Sequence, residues 1–305
     1  MIGSTVLGLD VGGSSVKYRL ASAGQADGMP DAVAAGVAPA LAEELPATLA
    51  ELARTVSAGH RLAAVAVAIP GLVDEATGTV IRSSNVPALD GRALGPELSA
   101  LLGVPVTILN DGRAAAVAEA RWGAGAGERD VFTLALGTGI AGSHLVDGVI
   151  ADGAHGSAGE LGHVVVEPGG RRCSCGQRGC LETLLGAPAL RRAWNAAGGE
   201  GSARELLAAY DEGDPRAVPI VRSAARHLAD AVLTLLALVD PGVVIVGGGL
   251  ASAPHRLVEL AAGYVAEQAT FHRVPPIVPA ELGRWAGAVG TAAEARALAA
   301  RVVAA

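Results

Sequence analysis

The sequence predicts an α/β protein made of two domains of similar topology. Strand-like and helix-like segments alternate along the whole chain. Two units of strand, glycine turn and strand, one beginning near Thr5 and one near Val131, stand roughly a domain apart. At 305 residues the chain has the length at which a single core usually divides in two.

Residues 5–9 form a short apolar run ending at Asp10 and predict a buried strand. After Gly12-Gly13-Ser14-Ser15, the residues Val16, Tyr18 and Leu20 alternate with Lys17 and Arg19, the period of a half-buried strand. Residues 62–69, closed by Pro70-Gly71, predict another strand, and so do residues 104–109, which run into Asn110-Asp111. Helical spacing follows over 113–122. The pattern recurs with an apolar run at 131–136, a break at Gly137-Thr138-Gly139 and an extended segment from Ile140. Residues 153–179 are glycine-rich and irregular. Helices are predicted over 187–195, 203–211, 215–238, 254–268 and 285–303. A strand at 243–246 ends in Gly247-Gly248-Gly249. The matching layout predicts two domains facing each other across a cleft, one of residues 1–112 plus 286–305 and one of residues 113–285.

The formal net charge of -7 argues against a protein that tracks nucleic acid or an anionic membrane. Hydrophobic residues reach 51% but aromatics only 3%, so the apolar content is Ala, Val and Leu rather than a stacking platform. The N-terminal segment shows no secretion pattern, and the longest apolar run, 231–239, is too short to span a bilayer. A cytoplasmic protein is expected. The 3 cysteines all fall within one short segment, which suits a metal site better than a disulfide framework.

Asp10-Val11-Gly12-Gly13 ends a strand with an acid and two glycines. Such a turn admits a phosphate close to the backbone while the carboxylate faces Mg²⁺; it can equally be a hairpin turn. A strand follows the glycines rather than a helix, which argues against a Rossmann fingerprint and a P-loop. Gly137-Thr138-Gly139 repeats the logic with a hydroxyl added. Asp111 stands where a strand gives way to a helix: it is either an N-cap or a general base for an attacking hydroxyl. Glu160 and His163 are three apart, so a helical turn sets them on one face. Cys173, Cys175 and Cys180 with a nearby His make a closed, structural Cys₃His zinc set, the alternative being unrelated buried thiols. A metal there would fix the loop so that Glu160 and Glu182 face a ligand. If one ring nitrogen of His163 binds zinc, the other can donate to that ligand. Asn85 is a turn residue or a ligand contact, and the 247–249 glycines are a connector or a backbone approach to a nucleoside.

Taken together, these segments resemble the ROK family of bacterial sugar kinases and sugar-responsive repressors, over essentially the whole chain. The resemblance rests on Asp10-Val11-Gly12-Gly13, Asn110-Asp111, residues 136–142, Gly159-Glu160-Leu161-Gly162-His163, the Cys-x-Cys-Gly-x-x-Gly-Cys-x-Glu stretch from Cys173 to Glu182, and Asp240-Pro241 through Gly249. It implies the two-domain actin/hexokinase-like (ribonuclease H-like) fold and an ATP:hexose 6-phosphotransferase. Asp111 would be the catalytic base. Asn85, Asn110, Glu160, His163 and Glu182 would bind the sugar hydroxyls. Gly12, Gly13, Ser14, Lys17, Thr138 and Gly139 would hold the ATP phosphates, with Gly248 near adenosine and Asp10 near Mg²⁺. His163, Cys173, Cys175 and Cys180 would hold zinc. A homodimer or homotetramer is implied. The pattern departs from the family at Gly112-Arg113 and at Ala141 and Ser143. Glucose is the default substrate, with an amino or N-acetyl hexose (kanosamine, N-acetylglucosamine, N-acetylmannosamine) as the alternative. The reading from another class is a non-catalytic sugar sensor. The repressors carry a DNA reader before the first phosphate strand, for which Asp10 lies too near Met1. Polyphosphate as donor is disfavoured because no long basic track is visible.

Overall fold

The structure is a computed structural model that describes residues 4–24, 28–40, 45–83, 86–155, 157–251 and 256–304. The chain divides into two compact units, Met1–Ala118 with Arg284–Ala305, and Glu119–Gly283.

The first unit opens with β1 (Ser4–Val11), β2 (Ser15–Ser22) and β3 (Ala32–Pro39), followed by helix α1 (Leu45–Val56) and β4 (Arg61–Ile69). A small hairpin, β5 (Leu72–Asp74) with β6 (Thr79–Arg82), precedes α2 (Leu94–Leu102), β7 (Val106–Asn110) and α3 (Asp111–Trp122). Its main sheet has the order β3-β2-β1-β4-β7. The pairs β1–β2 and β2–β3 are antiparallel, and β1–β4 and β4–β7 are parallel.

Strand β4 shows how the sequence builds this sheet. Val65, Val67 and Ile69 point to one face and join Leu45, Leu49 of α1 and Leu94, Leu98 of α2 in one core. The intervening Ala64, Ala66 and Ala68 point to the other face and join Ala114, Ala295 and Ala299 in a second, small-residue core. Successive side chains alternate across a strand. The alternation here is therefore large against small, with both faces buried.

The second unit carries β8 (Asp130–Leu136), β9 (Ile140–Val146), β10 (Val149–Ile150), α4 (Glu182–Leu185), α5 (Ala187–Ala196), α6 (Ala203–Asp211), α7 (Ala217–Leu238), β11 (Val243–Gly247), α8 (Leu257–Gln268) and β12 (Ile277–Pro279). Its sheet runs β10-β9-β8-β11-β12. The antiparallel hairpin β8–β9 and the parallel pairs β8–β11 and β11–β12 repeat the pairing of the first unit strand for strand. Phe132, Leu134 and Leu136 pack with Val244, Val246 and the apolar faces of α5 through α8. Helix α9 (Ala286–Ala304) then returns to the first unit.

The predicted strands and helices are present, with boundaries shifted by a few residues. Strand β3, helices α1 and α2, the β5–β6 hairpin and strands β10 and β12 lie in stretches for which the sequence reading assigned no element. Among the described residues, no helix is long and apolar enough to cross a membrane.

Candidate functional site

In the first unit, the chemistry gathers at the carboxyl ends of β1 and β7, where open α/β sheets place ligands. Asp10 is buried at the end of β1, and Lys17 Nζ reaches back across the hairpin to its Oδ2 at 3.0 Å. The turn between β1 and β2 is closed by the Gly12 N–H donating to the Ser15 carbonyl at 2.8 Å. Neither Gly12 nor Gly13 has positive φ, and a Cβ on Gly13 would meet nothing within 4 Å. Among the described residues no neighbour demands glycine at position 13.

Asp111 begins α3, but the cap is Asn110: its Oδ1 accepts the Arg113 N–H at 3.0 Å, and its Nδ2 donates to the Gly71 carbonyl at 2.8 Å. Asp111 Oδ1 accepts the Gly112 N–H at 2.8 Å. Burial pushes the Asp111 carboxyl above the usual carboxylate range; Asp10 adds to the rise, while the Gly112 N–H and Lys17 oppose it. Arg113 Nε lies 3.0 Å from Glu75 Oε1, an oxygen that also faces the Asn110 N–H at 3.4 Å. Asn85 lies outside the described residues.

In the second unit, the turn at Gly137-Thr138-Gly139 is closed by the Gly137 N–H on the Gly139 carbonyl at 3.0 Å. Thr138 and Gly139 are exposed. Glu182 Oε2 accepts the Ile140 N–H at 3.1 Å, and a Cβ on Gly139 would stand 2.7 Å from that oxygen. Gly248 has φ +88° and lies so close to the Leu136 carbonyl that no side chain fits there. It seats the end of β11 against the end of β8.

Glu160 and His163 bracket a single 3₁₀ turn (Leu161–His163) rather than an α-helical one, with the His163 N–H on the Glu160 carbonyl at 3.0 Å. Glu160 keeps exposed surface, yet desolvation of its carboxyl pushes it upward; Glu182 adds to this and His163 opposes it. The two acids and the histidine thus lie within electrostatic reach of one another.

His163, Cys173, Cys175 and Cys180 bring one ligand atom each to within 4.8 Å of all the others. His163 Nδ1 is 3.6 Å from Cys173 Sγ, and Cys175 Sγ is 3.7 Å from Cys180 Sγ. A sulfur–sulfur separation of that size is far from a disulfide bond. The edges of a tetrahedron with ordinary Zn–S and Zn–N bonds are about 3.6–3.8 Å, so the donors fit zinc in kind and these two separations fit it in spacing. Nδ1 being on the cluster side leaves Nε2 facing outward from it.

The sequence reading missed a cavity of about 330 Å³ that adjoins the second turn. It is lined by Thr138, Pro188, Arg191, Ser202, Arg204 and Leu250, among others. Two arginines and the first turns of α5 and α6 give it a positive character. The only signal in the sequence is a scatter of arginines, because Thr138, Arg191 and Arg204 become neighbours through the fold alone.

The model of the ROK family matches residues 6–297. The chain is 35% identical to the kanosamine kinase of Amycolatopsis mediterranei over 281 residues, covering 91% of each chain. It is 30% identical to the glucokinase of Streptomyces coelicolor over 321 aligned positions, covering 95% of this chain and 97% of that one. The ROK hexokinase from Thermus thermophilus superposes with a TM-score of 0.86 at 33% identity, over 97% of this chain and 99% of the other.

Proposed function

Because the chain belongs to the ROK family, we propose that it is an ATP-dependent kinase of a free hexose. The observation that carries this reading is the state of Asp111. Asn110 supplies the helix cap, and burial holds the Asp111 carboxyl above its ordinary value. A carboxylate so placed is a stronger base than a solvated one.

In the proposed reaction the sugar O6–H gives its proton to Asp111 as O6 bonds to the γ-phosphorus. The bond from that phosphorus to the β–γ bridging oxygen breaks, and ADP leaves. Such transfers pass through a loose transition state, so positioning and charge neutralisation carry most of the acceleration. Glu160, Glu182 and His163 Nε2 are assigned to the sugar hydroxyls. Thr138, Gly139, Gly12 and Gly13 are assigned to the phosphates, and Arg191 and Arg204 to the remainder of the nucleotide. Asn110 and Lys17, read from the sequence as sugar and phosphate ligands, also hold Gly71 and Asp10. Gly248, expected near adenosine, also packs closely on Leu136. Asp10 suits Mg²⁺, which when bound with ATP neutralises phosphate charge. Zinc on His163 and the three cysteines would hold the loop that carries Glu160.

Glucose is the first substrate to test. A cationic amino hexose such as kanosamine is the second, since the Glu160 and Glu182 carboxylates, within electrostatic reach of each other, suit an ammonium as well as hydroxyls. The deciding experiment is ADP release with ATP and Mg²⁺ across glucose, mannose, glucosamine, kanosamine, N-acetylglucosamine and N-acetylmannosamine. Turnover on one of them supports the kinase. Binding without turnover on any favours a sugar sensor.

A further inference from the structure

Glu182 meets two parts of the second unit at once. Its carboxylate lies within electrostatic reach of Glu160 in the proposed sugar-binding group, and its Oε2 accepts the Ile140 N–H at the end of the phosphate turn. The same short segment grips the other side of that turn, where the Ala187 N–H donates to the Gly137 carbonyl at 2.9 Å. The segment is itself anchored to the cysteine loop: the Leu181 N–H donates to the Val164 carbonyl at 2.9 Å, and Thr183 Oγ1 to the Cys180 carbonyl at 2.8 Å. Position 139 is a glycine for a reason visible here, because a Cβ would press on Glu182 Oε2. Position 137, in the same turn, has room, with the nearest atom 3.9 Å from its Cβ.

We propose that Glu182 is a positioning residue that ties the phosphate turn to the sugar site, so that the shape of the turn sets sugar affinity even with no nucleotide bound. This rests on the hexose-kinase reading and deepens it. One oxygen is fixed by the Ile140 N–H, which orients the carboxylate towards the sugar. Anything that displaces that oxygen weakens the sugar, and by linkage a bound sugar steadies the turn. Sugar binding would thereby prepare the turn for ATP and limit transfer to water.

The test is calorimetric titration of the nucleotide-free protein with glucose, kanosamine, N-acetylglucosamine and N-acetylmannosamine. Gly139→Ala is expected to weaken the sugar that binds by about 5-fold or more, whereas Gly137→Ala leaves that affinity unchanged. Equal affinity in the wild type and both variants overturns the coupling and leaves the kinase reading intact. No binding of any hexose to the wild type overturns the kinase reading itself. Hydrogen exchange on the wild type gives a second measurement should Gly139→Ala fail to fold. The bound sugar should slow exchange in the peptide containing Ile140 with no nucleotide present, and unchanged exchange there also overturns the proposal.

Discussion

Asn110 caps helix α3 by accepting the Arg113 N–H at 3.0 Å, and so relieves its neighbour Asp111 of that duty. Asp at the start of a helix is ordinarily spent on the cap. Here the two adjacent residues divide the work.

Asp111→Asn is therefore expected to cost about 10²–10⁴ in kcat with only a modest change in sugar affinity. Wild-type turnover in this variant, measured by coupled ADP release, removes Asp111 from the base role. Asn110→Ala should instead lower stability by about 1 kcal/mol.

The raised carboxyl of Asp111 gives paired pH dependences of opposite sign. The reaction needs the ionised form, so kcat/KM should fall on the acid side through a value above the ordinary aspartate range of about 4. Stability runs the other way. The folded protein holds this proton to higher pH than the unfolded chain, so stability falls as pH rises from the unfolded to the folded value. Asp111→Asn should consequently melt above the wild type at pH 7, with the gain fading as pH drops below about 4. Melting curves across that range check it.

The Arg113–Glu75 pair is part-exposed on both sides, so it contributes at most about 1 kcal/mol. Arg113→Ala should barely move the melting temperature. It should change the ratio of kcat/KM between glucose and kanosamine, because Glu75 also faces the Asn110 N–H beside the base. An unchanged ratio dissociates the pair from substrate choice.

Metal analysis is expected to find one zinc per chain. Its removal by chelation, or Cys173→Ser, should weaken hexose binding, since His163 and the Glu160 turn would lose their fixed orientation. Retained sugar affinity in the zinc-free protein confines the metal to stability alone.

Much of this architecture was legible in the chain. Strand β4 and the two glycine turns follow from an unbroken apolar run and from residue type. The cysteine cluster was legible because four ligands in a short span leave few other readings. Strand β3 was not: Ala32–Pro39 contains only Ala, Val, Gly and Pro, and its partner β2, rather than any pattern of its own, makes it a strand. The capping role of Asn110 was also hidden, because Asn and Asp in sequence look interchangeable until a backbone N–H is placed against one of them. Arg191 and Arg204 are separated by two helices' worth of geometry that no spacing rule supplies.

Helix α9 has a consequence for biogenesis. It covers the small-residue face of the first unit's sheet, with Gly8 of β1 packed directly on the Ala292 backbone and buried Arg296 holding the Gly28 carbonyl at 2.9 Å. Yet it is synthesised after the entire second unit, a delay of about 10–30 s at ordinary rates of translation. The contiguous second unit can close on the ribosome as it emerges. The first must wait, with one apolar face of its sheet uncovered, until the chain comes back to finish it.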